Sequence, residues 1–310
     1  MNFDIDEYKN FYERANNHSF RENEGIFINE FKFSRNVITG IDKNNFLVIL
    51  LPIDKEIAGF QIKDFITLKD STSFFVENKK VVLKGAPLIY KRKNYQEHFG
   101  FLSQINLILD SSEFLTNLQQ FLDIIQKAHN SRNHFKAPSF FAEACTIQNL
   151  SSIYPKIANE WDSSANSVID ISSSISNPAI EVKSTTNNDE RIHSVSIHQV
   201  KYFQKNPSTL LASVIVFYNE AGTSCKSICE KIILKLDESD SGYKYIKGIL
   251  LAYNDISAFT ENCFDEGMTN NNIQFYEPDL KELPLINSPI WLKGGTLKIS
   301  MDALKLSNII

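Results

Sequence analysis

The heptapeptide Pro178-Ala-Ile-Glu-Val-Lys-Ser184 decides how this chain is read. Ile180 and Val182 alternate with Ala179, Glu181 and Lys183, and a period of two marks a strand whose two faces differ. Ile180 and Val182 are expected to enter a core. Glu181 and Lys183 then share the other face, where a carboxylate and an ammonium on an otherwise apolar strand are costly to bury without a partner or a task. Eleven residues upstream, Asp170 interrupts a second apolar run, Val168-Ile-Asp-Ile171. Two adjacent strands joined by a short turn bring Asp170 and Glu181 side by side. Carboxylates held that close repel, unless a hard cation such as Mg²⁺ lies between them on oxygen ligands. A bland reading stands beside this one: a solvent-facing polar stripe on an edge strand, with an ion pair of small value.

If the ion is there, its chemistry follows. A divalent cation held by Asp170, Glu181 and the Val182 carbonyl lowers the pKa of a water and neutralises charge on a phosphate. Lys183 then orients the water or stabilises developing negative charge. An acid two residues before a lysine is a weak pattern by itself. It recurs at Glu7/Lys9, Glu30/Lys32, Glu77/Lys79 and Asp279/Lys281, all of which read as surface. Only the copy at Glu181 joins an apolar strand to an upstream strand aspartate and a following strand and helix.

Working outward, residues 140–150 read as an apolar helix, continued around 153–161, and 168–172 and 179–184 as strands. A third strand at 191–195 runs at once into a helix over 197–204. A long apolar strand follows at 210–218, then a helix at 228–236. The order is α-β-β-β-α-β, in a chain of α/β class. Residues 244–268 read as helix, and 273–276 and 297–300 as strands. Toward the N-terminus, a polar helix over 1–20 precedes short strands at 25–33, 46–52, 65–68, 74–77, 81–83 and 88–90, with a hairpin turn at Glu77-Asn-Lys-Lys80. A helix over 114–128, capped by Ser112, ends in the polar stretch 129–134. This divides the chain into a β-rich domain (1–110), a connecting helix and linker (111–135) and a second domain (136–310).

The whole chain has 310 residues, 43% of them hydrophobic, and a net charge of −5, which excludes a generally basic nucleic-acid coat. A local basic groove stays open: Lys79-Lys80 and Lys91-Arg92-Lys93, the latter between Tyr90 and Tyr95, are candidate phosphate contacts, or else solvated loops. Four cysteines are too few for a disulfide scaffold. Cys225 and Cys229 read as a buried pair on one helix face, and His193 and His198 as structural or surface residues. The acidic start lacks a secretory pattern, and no apolar run is long enough to span a membrane, so a cytoplasmic protein without a membrane partner is expected. Neither a Walker A loop nor a dinucleotide fingerprint is present.

The run from about Phe140 to Tyr218 resembles the PD-(D/E)XK nuclease superfamily, and more narrowly a PD-(D/E)XK family met near restriction-modification genes. The resembling pieces are Phe141-Ala-Glu-Ala144, Glu160-Trp161, Asp170, Ile180-Glu-Val-Lys-Ser-Thr185 and Arg191-Ile-His-Ser-Val-Ser-Ile-His-Gln199. About 80 residues carry the likeness, and Asp170 is preceded by Ile169 where the family's name places a proline. The resemblance implies a restriction-endonuclease-like core, Asp170 and Glu181 as metal ligands, Lys183 as the catalytic lysine and Glu143 as an accessory acid. Glu143 also reads as an acid placed favourably near a helix start. Gln199 reads as an accessory site residue or as half of a capping box with Ser196. Two functions are therefore carried forward, with an RNA-directed nuclease as a third, weaker reading. The first is a Mg²⁺-dependent DNA endonuclease (Mn²⁺ substituting) of restriction or phage defence, acting as a homodimer or with methyltransferase or ATPase subunits. The second is a non-catalytic DNA-binding or assembly subunit that keeps the fold.

Overall fold

A computed structural model describes residues 4–20, 25–28, 37–51, 60–62, 65–69, 72–109, 113–132, 135–162, 167–278 and 296–307. The chain is a mixed α/β protein that divides into two units, Met1–Gln126 and Lys127–Ile310. No helix among the described residues is long and apolar enough to cross a membrane.

The first unit opens with α1 (Ile5–Asn16), whose N-cap Asp4 accepts the Asp6 amide and whose Tyr8, Phe11, Tyr12 and Ala15 are buried. Seven strands follow: β1 (Gly25–Ile28), β2 (Ile38–Asp42), β3 (Leu47–Leu51), β4 (Phe60–Ile62), β5 (Ile66–Leu68), β6 (Thr72–Val76) and β7 (Val81–Tyr90). They form one sheet in the order β3-β2-β1-β6-β7-β5-β4, and an added β3–β7 pairing closes β3, β2, β1, β6 and β7 on themselves. Ile26, Ile28, Val48, Leu50, Phe74 and Val76 make a common core. The expected turn at residues 77–80 joins β6 to β7, with Lys80 in the left-handed region (φ 53°). Two expected strands, 81–83 and 88–90, are the halves of the single strand β7. Helix α2 (Tyr95–Leu109) was not expected from the sequence, and α3 (Phe114–Ser131) continues three residues into the stretch read as linker. The Ser112 cap, and Asn133 and His134, lie outside the described residues.

The second unit is built around α4 (Ala137–Leu150), which has Pro138 in its first turn and residues buried on most of its circumference. A single 3₁₀ turn (Ile157–Glu160) replaces the helical continuation expected over 153–161. Then come β8 (Ile180–Thr185), β9 (Ile192–Ser196), α5 (Ile197–Lys205), β10 (Leu210–Ile215), β11 (Tyr218–Ser224) and α6 (Cys225–Ile233). Next are α7 (Ser241–Tyr253), α8 (Ser257–Thr260), β12 (Cys263–Phe264), α9 (Glu266–Asn271), β13 (Ile273–Glu277), β14 (Thr296–Ser300) and β15 (Lys305–Leu306). The helix expected over 244–268 thus stops at Tyr253.

The main sheet has the order β15-β13-β10-β8, and β8 runs parallel to β10 with Glu181 opposite Leu211 and Lys183 opposite Ser213. Strand β9 pairs with β14 instead. Alternation along β8 sends Ile180 and Val182 into the larger core with Phe140, Phe141, Ile147 and Ile228, while Ala179 enters a second core with Leu211, Val195, Val200 and Phe203. A fully buried Ile or Phe contributes on the order of 2 kcal/mol here, so the register of β8 is strongly fixed. Residues 168–172, expected as a strand, pair only through Ile171, which bridges Trp161 on one side and Ile180 on the other. The ladder stops there for a local reason: the next amide on that edge of β8, Val182 N–H, donates to the Asp170 side chain at 2.7 Å.

Candidate active site

Asp170, Glu181 and Lys183 meet around the edge of β8. The Lys183 Nζ lies 2.7 Å from Glu181 Oε1, and the Asp170 carboxylate accepts the Val182 amide between them. Glu181 is 2% exposed, which removes the solvent-facing stripe as a reading of this strand. Asp170, Glu143 and Lys183 are each half-buried. Val182 N–H leaves the strand toward Asp170, and the Val182 carbonyl opens on the same edge. The N–H and C=O of one strand residue point the same way, as Ile180 shows by exchanging both bonds with Ile171.

Electrostatics at the cluster are set by burial. Removal from water raises the Glu181 pKa first, the neighbouring Asp170 charge raises it further, and Lys183 opposes both. Asp170 is raised by burial and held back by the Val182 N–H bond. Glu143 is raised by burial and by the charge of Asp170, against the Trp161 N–H and Lys183. Glu181 Oε2 is buried with no hydrogen-bond donor, although the Asp170 carboxyl is within reach of Glu181. Lys183 and Gln199 both serve Oε1, so Oε2 is the oxygen that a proton or a further cation would satisfy.

This is the observation on which a metal can be tested against the residues present. Among the described residues no three His, Cys, Asp or Glu side chains stand arranged to hold one ion. Mg²⁺, however, takes one or two carboxylates and keeps several waters. Asp170, Glu181 and the Val182 carbonyl supply that kind of set, all hard oxygen donors on one strand edge. The residues fit.

Gln199 has both roles that the sequence offered. Its Oε1 accepts the Ser196 amide in a complete capping box at the start of α5, while its Nε2 donates to Glu181 Oε1 at 2.5 Å. Glu143, on α4, reaches the cluster with Oε2 bonded to the Trp161 indole N–H at 3.0 Å. Trp161 appears in the sequence only as part of a resembling dipeptide. Nothing local announces that its indole meets a carboxylate eighteen residues away.

A second polar group adjoins β8. His193 is 3% exposed and its Nε2 lies 2.7 Å from Ser213 Oγ, which also accepts from Arg191 Nη1 at 3.0 Å. A hydroxyl has one proton and two lone pairs, so Ser213 Oγ can meet the Arg191 guanidinium and His193 Nε2 at once. Burial, with the Lys183 and Arg191 charges, pulls the His193 pKa down to about 4. His198 is exposed. Cys225 and Cys229 are buried on α6, and burial pushes both thiols well above their usual range.

The basic candidates lie in the other unit. Lys79 and Lys80 are exposed in the β6–β7 turn, whereas Lys91, Arg92 and Lys93 follow β7 at its opposite end. A ten-residue strand separates them by about 30 Å, so they do not form one patch. Arg92 stacks over Phe65 at 4.7 Å and Lys93 over Phe46 at 5.5 Å. Glu77, read as surface, is buried at 6% exposure with His18 Nε2 at 3.7 Å from its carboxylate, while Glu7 and Lys9 are exposed. Glu30, Lys32, Asp279 and Lys281 lie outside the described residues. Compared with known proteins, the chain matches no family model, no curated protein and no solved structure.

Proposed function

We propose that this protein is a Mg²⁺-dependent endodeoxyribonuclease of PD-(D/E)XK type, with a restriction-endonuclease-like core in residues 136–310. The observation that carries the reading is the buried Glu181 carboxylate, whose Oε2 lacks a donor, beside the Lys183 ammonium and next to Asp170, which takes the Val182 amide. Asp170, Glu181 and the Val182 carbonyl are the groups that would hold the ion. Bound there, it supplies an acidified water and neutralises charge on the scissile phosphate. Lys183, tied to Glu181, holds a positive charge where a phosphate oxygen or an attacking water is oriented. Gln199 fixes the Glu181 carboxylate, and the capping box fixes Gln199 in turn. A double-strand cut needs two such sites, hence a second copy or partner subunits of a restriction-type system, and translocation would need a separate ATPase.

A non-catalytic DNA-binding or assembly subunit is the second reading. It is favoured by the structural bonds of two cluster residues, since Asp170 accepts the Val182 amide and Gln199 completes the α5 cap whether or not any metal binds. A plasmid assay with Mg²⁺ or Mn²⁺ separates the two. The wild type is expected to nick or cut, with Ca²⁺ supporting binding and little cleavage. Lys183→Ala is expected to lose at least about a hundredfold in rate, and to melt below wild type because the buried Glu181 carboxyl loses its counter-charge, so rates are compared at a temperature where both are folded. Equal cleavage by wild type and variant points to a contaminant. Absence of cleavage with metal, several DNA substrates and partners supplied selects the non-catalytic subunit.

A further inference from the structure

One tripeptide grips two of the three acids. The indole Nε1–H of Trp161 donates to Glu143 Oε2 at 3.0 Å. The main chain on either side holds the Asp170 segment: Asp162 N–H donates to the Asp170 carbonyl at 2.8 Å, and Ser172 N–H to the Glu160 carbonyl at 2.9 Å. Glu160-Trp161-Asp162 is itself locked. Trp161 is 4% exposed, with Phe140 at 5.3 Å and Tyr245 at 5.9 Å between ring centres. The 3₁₀ turn before it lies so close to α7 that a Cβ on Gly242 would come within 2.6 Å of the Ala158 carbonyl oxygen, and the Gly242 amide donates to Asn159. An indole has a single donor and no acceptor, so its one bond is spent on Glu143.

We propose that Trp161 is a positioning residue for metal binding. By holding Glu143 Oε2, it leaves the other carboxylate oxygen to face the cluster and fixes the acid at one distance from Asp170 and Glu181. The proposal rests on the metal reading given above. Donors that orient ligating or neighbouring carboxylates are worth roughly tenfold to a hundredfold in metal affinity. The demand is greatest for Mg²⁺, which accepts only near-octahedral geometry, and least for Ca²⁺, whose coordination is loose.

The test is a titration of the full chain with Mg²⁺ and with Ca²⁺, followed by calorimetry and by tryptophan emission. The sequence has two tryptophans, and Trp291→Phe leaves Trp161 as the sole reporter. Saturating Mg²⁺ is expected to change Trp161 emission. Trp161→Phe is expected to weaken Mg²⁺ binding by about tenfold or more and Ca²⁺ binding by clearly less. In a Glu143→Ala background, where no acceptor is left for the indole, the same substitution is expected to change Mg²⁺ affinity by less than about twofold, since the coupling has already been removed. Equal losses in both backgrounds, or an unchanged Mg²⁺ affinity in folded Trp161→Phe, make the indole a packing group only and overturn the proposal. Should that variant fail to fold, an emission spectrum of the Trp291→Phe protein that ignores Mg²⁺ at concentrations where calorimetry shows binding overturns it equally. Mg²⁺ binding that is absent, or indifferent to Asp170→Asn and Glu181→Gln, removes the metal reading and this inference with it. Binding that depends on those two acids and ignores Trp161 removes this inference alone.

Discussion

Asp170 does two jobs with one carboxylate: it faces Glu181, and its oxygen receives a buried backbone amide that would otherwise want a ladder partner. Its two substitutions should therefore part company in metal-free protein. Asp170→Asn keeps an oxygen for Val182 N–H and removes a charge beside Glu181 and Glu143, so the melting temperature is expected to rise by a few degrees, on the order of 1 kcal/mol. Asp170→Ala relieves the same repulsion but orphans the amide at a cost of about 1–3 kcal/mol, so it is expected to melt at or below wild type. Parallel thermal melts in a chelator check both; equal shifts would mean that the Val182 bond carries no weight. Strand alternation and the eleven-residue spacing made Asp170, Glu181 and Lys183 legible in the sequence. Trp161 was not, because a bond between residues 161 and 143 belongs to the tertiary fold. Glu77 shows the converse error: it stands in the same acid-x-lysine pattern, reads as surface and is buried.

Elements were legible where local signals and burial agree. Strand β8, strand β10 and helix α4 are apolar runs of the right length, and α5 announces itself by Ser196 and Gln199. Helix α2 hides because His98 and Gln104 are buried among its apolar residues, which blurs the periodicity. Strand β2 hides behind Gly40, a weak strand residue kept because a Cβ there would come within 2.9 Å of the Phe27 carbonyl oxygen. The strand expected over 210–218 ends at Ile215, and Tyr218 instead opens the polar strand β11, whose Asn219 and Gly222 are weak strand residues. The shared use of Gln199 gives a prediction at this scale. Ser196→Ala removes one cap bond and is expected to cost about 1 kcal/mol. Gln199→Ala removes the reciprocal cap bond and the Glu181 partner together, and is expected to cost more, about 2 kcal/mol, with cleavage impaired as well. Denaturant melts of both variants rank them; the reverse order would separate Gln199 from Glu181.

Across the whole molecule, the two units are expected to answer to different conditions. In Met1–Gln126, His98 donates Nε2–H to the Arg92 carbonyl at 2.5 Å, and its Nδ1 lies 3.2 Å from the Tyr8 hydroxyl. Burial pulls its pKa from 6.5 down to about 4. A base depressed in the folded state contributes stability that is present above the unfolded pKa and lost as pH falls through the folded one. As pH falls from about 6.5 to 4, this unit is expected to lose on the order of 3 kcal/mol, and His98→Gln is expected to flatten the slope. Mg²⁺ should act elsewhere, raising the stability of Lys127–Ile310 by about 2.7 kcal/mol at a hundred times its Kd. Hydrogen exchange resolved along the chain checks both effects. Metal protection centred on residues 1–126, or pH sensitivity there that survives His98→Gln, would contradict them.

Because Asp170 doubles as a rung of the β8 edge and Glu181 holds the cap residue Gln199, the three central charges are not equally dispensable to a drifting lineage. A replacement of Asp170 without an acceptor oxygen orphans the Val182 amide, and loss of Glu181 frees Gln199, whereas loss of Lys183 orphans no backbone group and no cap. A descendant released from selection for cutting should therefore shed its lysine first and keep both acids, so that a copy with Asp170 and Glu181 intact is no proof of an active one.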